Sequence, residues 1–192
     1  MRTFVRALVL LHVLQLVHAF NASIINGILT LPDGSHKQVG STGTAINAVI
    51  SSYFLPLPPP NVTVGWVNSS VLSYLTLGGA FVVDATVLLP SLFVLKLEAG
   101  ATLTANASAA DAVLFANHTH HTAVLGSAGA TVSCAGWSGP AGAMFRGVYA
   151  YNTAYFTVAG FRVTACGAGA SGNVHLSELG QPPPLSGYSL SG

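Results

Sequence analysis

The chain has 192 residues, enough for one domain with a packed core, and only 6% of them are Asp, Glu, Lys or Arg. An ordinary soluble domain carries about 25%. So little charge excludes a disordered acidic or basic tail, a coiled coil, and a nucleic-acid binder built on a Lys/Arg patch. From Phe20 onward Lys37, Lys96, Arg146 and Arg162 face Asp33, Asp84, Glu98, Asp111 and Glu178, so no electrostatic partner is implied.

Residues 1–19 read as a secretory signal peptide. Arg2 and Arg6 supply the positive start, Ala7 to Val17 the apolar run, and Val17-His18-Ala19 the small-residue cleavage site. The run is short for a membrane span, which needs about 20 apolar residues. The expected mature chain starts at Phe20 and is extracellular or held at the cell surface. Five Asn-x-Ser/Thr sequons agree with export: Asn21, Asn61, Asn68, Asn106 and Asn117. Attached glycans need solvated positions, so these asparagines also mark surface.

Residues 20–60 form an entry segment and a helix. Asn21 to Gly40 is rich in Asn, Gly and Ser and reads as irregular. Ile46, Val49, Ile50 and Tyr53 then fall on one helical stripe, with Ser41, Thr42 and Thr44 as candidate N-caps. Leu55-Pro-Leu-Pro-Pro-Pro60 stops the helix, because proline lacks the donor N–H and clashes with the preceding turn.

Residues 61–179 change pattern. Short β-branched or aromatic runs alternate with Gly, Asn, Ser and Ala, among them Val62–Val67, Phe81–Val83, Val87–Leu89, Phe93–Leu97 and Tyr155–Val158. Many short strands without intervening helices predict an all-β body. Val71 to Leu97 has a rival reading as a membrane helix. Asp84 and Pro90 interrupt it, and sequons flank it on both sides, so no span is expected once the signal is cleaved.

The strands repeat. Glu98–Ala105 lies over Ser127–Cys134 at a shift of 29, and Ala112–Asn117 over Gly147–Asn152 at 35. Thr122–Gly126 lies over Phe156–Gly160 at 34, and Thr131–Ser133 over Arg162–Thr164 at 31. A period near 30 predicts a solenoid of three short strands per turn, with small residues and asparagine at the corners. Gly126, Gly129, Gly136 and Gly160 read as corner glycines, since no helix follows them as a phosphate cradle requires.

The pattern resembles the right-handed parallel β-helix of the pectin-lyase-like superfamily, which includes polygalacturonase-type glycoside hydrolases. Thr44–Ile50 is similar to the amphipathic helix that caps the first coil there. Gly147–Thr153 with Phe156–Thr164 is similar to one complete rung. The resemblance implies a secreted glycoprotein related to polysaccharide-acting proteins, or a non-catalytic cell-wall β-helix that binds glycans or proteins. The Asn-x-Asp, Asp-Asp, Gly-His-Gly and Arg-x-Lys motifs of the catalytic members do not occur in this sequence. The turn-rich tail, residues 180–192, offers no evident cap, so the chain reads as part of a longer β-helix without an active site of its own.

Glycosidic hydrolysis needs two carboxyls about 5–9.5 Å apart. Asp84 and Asp111 are close to one turn apart and could share a face, but nothing places a base beside them, so no catalytic residue is assigned. Of Asn117-His-Thr-His-His121, His118 and His120 would share one side of an extended segment and are weak candidates for a metal pair. No third ligand is identifiable, and no metal or other cofactor is expected. Cys134 and Cys166 lie one period apart, which places them on neighbouring rungs and favours a disulfide. The alternative is a pair of small buried thiols one residue out of register. Trp66, Trp137, Tyr149, Tyr151 and Tyr155 serve core packing or ring ladders, or else a sugar-stacking strip if some point outward.

Overall fold

The computed structural model describes residues 20–55, 72–106, 112–138, 145–166 and 174–177. Among these residues the chain is mostly β, with one short helix. The strands are β1 Asn21–Ile25, β2 Ile28–Thr30, β3 His36–Gln38, β4 Ser73–Gly78, β5 Ala80–Val83, β6 Val87–Leu89, β7 Phe93–Leu97 and β8 Thr102–Ala105. They continue as β9 Ala112–Asn117, β10 His120–Gly126, β11 Thr131–Ser133, β12 Arg146–Tyr151, β13 Ala154–Ala159, β14 Arg162–Thr164 and β15 Val174–Ser177. The helix, α1, is Gly43–Tyr53.

From β4 onward three sheets take every third strand, and β1, β2 and β3 extend the first of them. Sheet A runs β13-β10-β7-β4-β1-β2-β3, sheet B β14-β11-β8-β5, and sheet C β15-β12-β9-β6. From β4 onward all pairing is parallel. Alternation along each strand then lines like residues into apolar columns facing the core. Sheet A contributes Ala22, Leu75, Leu95 and Val124 in mutual register, sheet B Phe81, Leu103 and Val132, and sheet C Val87, Leu114 and Val148. All are buried. Three of the four repeat shifts are the pairing registers themselves: 29 for β8 with β11, 34 for β10 with β13 and 31 for β11 with β14.

The fourth shift needs correction. The match at 35 aligned Asn117 with Asn152, whereas β9 and β12 pair at 34, with Leu114 on Val148 and Ala116 on Ala150. One residue of slip would turn every side chain of β12 to the opposite face, and burial of Val148 and Ala150 decides the register. The entry segment also differs from expectation. Asn26 and Gly27, at φ 49° and 80°, make the tight turn joining β1 to β2, and β1 lies parallel to β4. Strand 62–67 and the Pro56–Pro60 stop lie outside the described residues. Residues 73–97, inside the segment weighed as a membrane helix, form β4 to β7. Among the described residues no helix is long and apolar enough to cross a membrane.

The first strands of sheets B and C, β5 and β6, are covered by the segment around α1. Thr42 is the N-cap, its hydroxyl accepting from the Ala45 N–H at 3.1 Å, and Ile46, Val49 and Ile50 are buried. The Ser41 carbonyl accepts from Val82 N–H on β5 at 3.0 Å. On β6 the Asn47 amide does what a neighbouring strand would do. Its Nδ2 donates to the Thr86 carbonyl at 2.8 Å and its Oδ1 accepts from Leu88 N–H at 2.9 Å. Asn47→Ala leaves both edge groups without these bonds and is expected to cost about 1–3 kcal/mol in denaturant unfolding. A cost equal to that of an exposed helical position would contradict this role.

Candidate functional site

The corner where sheet C passes into sheet A gathers the chemically capable side chains. Asn117–His121, from the end of β9 to the start of β10, lies against Tyr151–Tyr155, from the end of β12 to the start of β13. His118 N–H donates to the Tyr151 carbonyl at 3.1 Å and Ala154 N–H to the Thr119 carbonyl at 2.9 Å. Four non-glycine residues here have left-handed backbone: His118 at φ 52°, His121 at 52°, Asn152 at 47° and Tyr155 at 57°. The left-handed region costs an L-residue roughly 1–2 kcal/mol, Asn less. Part of the pattern is architectural, because Leu92, one register step from His121, has φ 56°.

The turns aim the rings. The Asn152 amide nitrogen donates to His118 Nδ1 at 2.8 Å, leaving the His118 proton on Nε2. The His118 ring stands edge-on to Tyr151, with centroids 5.9 Å apart. His121 stacks on Tyr155 at 4.5 Å with the planes 18° apart, and meets His120 edge-on at 5.6 Å. Burial, and secondarily the neighbouring His120 charge, lower the His121 pKa below the ordinary 6.5. The folded chain therefore resists a proton that the unfolded chain accepts. Stability is present above pH 6.5 and is lost as pH falls from there through the lowered folded pKa. His121→Asn, which tolerates the same backbone, should reduce the loss of thermal stability between pH 7 and pH 5; an unchanged pH profile would contradict this.

The two histidines weighed as a metal pair have different neighbours. The i, i+2 rule assumes an extended chain, and the left-handed His118 breaks it. His118 is engaged by Asn152 and Tyr151, while His120 faces His121. Among the described residues no three His, Cys, Asp or Glu side chains come close enough to hold a metal.

Asp84 has a structural role. Its carboxylate accepts from the Thr44 N–H at 2.8 Å and the Thr44 hydroxyl at 3.0 Å, tying β5 to the first turn of α1. Burial pushes its pKa up, but the Thr44 bonds and the backbone N–H groups of Asp84 and Ala85 outweigh burial and the net shift is downward. Asp111 and Glu178 lie outside the described residues. Cys134 and Cys166 form a disulfide with Cα atoms 4.9 Å apart.

Of the sequon asparagines, Asn21 is exposed on β1, Asn106 is half-buried after β8, and Asn117 is exposed at the end of β9. Asn61 and Asn68 lie outside the described residues. The aromatic residues divide. Trp137 stacks on buried Phe145 at 4.8 Å and packs against the core. Tyr149 points outward, stacked on Phe115 at 4.9 Å with the Arg146 guanidinium 4.3 Å from its ring. Trp66 is not among the described residues.

Three contacts escaped the sequence reading: His121 with Tyr155 and Asn152 with His118 at the corner, and Phe115 with Tyr149 on sheet C. The shift of 34 that pairs Thr122 with Phe156 brings His121 against Tyr155 when extended by one residue, so that signal was present. No family model, curated protein or solved structure matches the chain.

Proposed function

We propose that the three parallel sheets are the faces of a right-handed parallel β-helix, one strand of each per turn. The chain is then a secreted glycoprotein, related to the polysaccharide-acting pectin-lyase-like proteins, that binds glycan without cleaving it. Regular shifts of 29, 31 and 34 between paired strands support the helical reading. Export rests on the pattern of residues 1–19 and on the sequons.

Binding rests on one observation: Tyr155 is held by left-handed backbone with one ring face on His121, yet 45% of its surface is exposed. A tyrosine fixed in this way loses little entropy when a flat apolar surface lands on it. The C–H face of a pyranose is such a surface. Scarcity of charge points to a neutral polysaccharide. Bond cleavage is not proposed, because Asp84 is already committed to the first turn of α1.

Affinity electrophoresis through gels containing neutral β-glucan, galactomannan or cellulose derivatives tests the reading. Retardation in at least one gel is expected. Tyr155→Asn, which suits the backbone and removes the ring, should weaken it by roughly tenfold without loss of folded protein. No retardation in any gel, or equal retardation by the variant, would overturn it.

A further inference from the structure

The outer face of sheet C, where β9 and β12 run up to the corner, carries an arrangement that the Tyr155 platform does not use. From Leu114 onward the side chains of β9 alternate, with Leu114 and Ala116 buried, Phe115 half-buried and Asn117 exposed, while Val113 before them is buried. Phe115 and Asn117 therefore leave the same face two residues apart. Tyr151 of β12 pairs in register with Asn117, and Tyr149 with Phe115. The sequon asparagine thus sits at the edge of an aromatic bed made by two adjacent strands. Directly opposite residues of neighbouring strands hold their side chains about 5 Å apart, within reach of a sugar ring carried on one of them.

From this juxtaposition we infer that Asn117 carries an N-linked glycan whose first N-acetylglucosamine packs on Phe115 and Tyr151, so that the aromatic face of sheet C is occupied by the protein's own modification. In the attachment step Asn117 Nδ2 loses a proton and bonds to C1 of the sugar. The bond from C1 to the diphosphate of a lipid-linked oligosaccharide breaks, and the diphosphate departs with its electron pair. Transfer precedes folding, because Thr119, the hydroxyl residue of the sequon, is buried in the finished structure. Once the chain folds, the sugar covers apolar ring surface that water would otherwise meet, and this stabilises the fold.

The inference rests on the export reading, and the experiment separates the two. The full chain is secreted from a eukaryotic host and occupancy at each sequon is read by peptide mapping. Asn117 is expected to be occupied. Trimming to a single N-acetylglucosamine with an endoglycosidase should leave Tm unchanged. Asn117→Gln should lower Tm by about 2–4 °C. In a Phe115→Ala, Tyr151→Ala background the same substitution should lower it by less than half as much. Glycan at Asn21 or Asn106 but not at Asn117, or a Tm indifferent to the Asn117 sugar, overturns the inference alone. Absence of glycan from every sequon overturns the inference and the export reading together.

Discussion

Replacing Cys134 and Cys166 with alanine is expected to lower the stability of the folded chain by about 3–4 kcal/mol. The bridge closes a loop of sequence separation 32, and a loop of that length withholds this much entropy from the unfolded chain on the chain-entropy model. It joins the residue after β11 to the segment after β14, adjacent strands of sheet B, where the Cys134 N–H also donates to the Thr164 carbonyl at 3.0 Å. Both cysteines are buried, so alanine leaves voids too small to account for much of the loss. For a chain of this size the change corresponds to a fall in Tm of roughly 10 °C. Differential scanning calorimetry of the double variant reads it directly. A Tm equal to that of the parent would show that the bridge closes a loop already closed by packing.

Phe93→Ala is expected to cost about 3–5 kcal/mol. Phe93 opens β7 and is 1% exposed. Its ring meets Phe54 edge-on at 5.1 Å, and Phe54 meets Phe20 in the same way at 5.0 Å. Phe54 is the C-cap of α1, so this chain of rings fastens the end of the helix to sheet A. Truncation removes the edge-to-face contact and leaves a cavity that the surrounding sheet closes only in part. Phe115→Ala is the control. Its ring is half-buried on the outer face, stacked on Tyr149, and should cost roughly 1 kcal/mol. Equal losses for the two variants in urea unfolding would mean that the inward and outward faces have been assigned wrongly.

Much of the fold was legible because strand and helix periods differ and because the sequence repeats. Ile46, Val49 and Ile50 announced α1, and three of four repeat shifts proved to be pairing registers. The failures have local physical causes. Strands β1 to β3 were hidden by composition, although Asn26-Gly27 between apolar residues is a strong hairpin signal. β4 was hidden inside a long apolar segment, because Ser73-Tyr-Leu-Thr-Leu77 alternates but its neighbours do not. The register of β9 on β12 was missed by one residue because matching two asparagines outweighed matching the buried positions.

The corner was legible only in part. Sequence drew attention to Asn117–His121 and to Tyr151 and Tyr155, but it treated the histidines as an extended strand. Left-handed backbone at His118 and His121 cannot be inferred from residue type alone, since even the enriched types Asn, Asp and His adopt it at only a minority of their positions. The fold imposes it at the entry to β7, β10 and β13, where the register-matched Leu92, His121 and Tyr155 share the conformation. Fixed, partly exposed rings at that position are therefore a product of the architecture.

Nuclear Overhauser contacts between β7, β10 and β13 test the architecture most directly. Val124 is placed between Leu95 and Val158, all three strands running the same way. The account predicts amide-to-Hα contacts from Val124 to both neighbouring strands and no close Hα–Hα pairs among the three. Close Hα–Hα pairs, the mark of antiparallel neighbours, would contradict it.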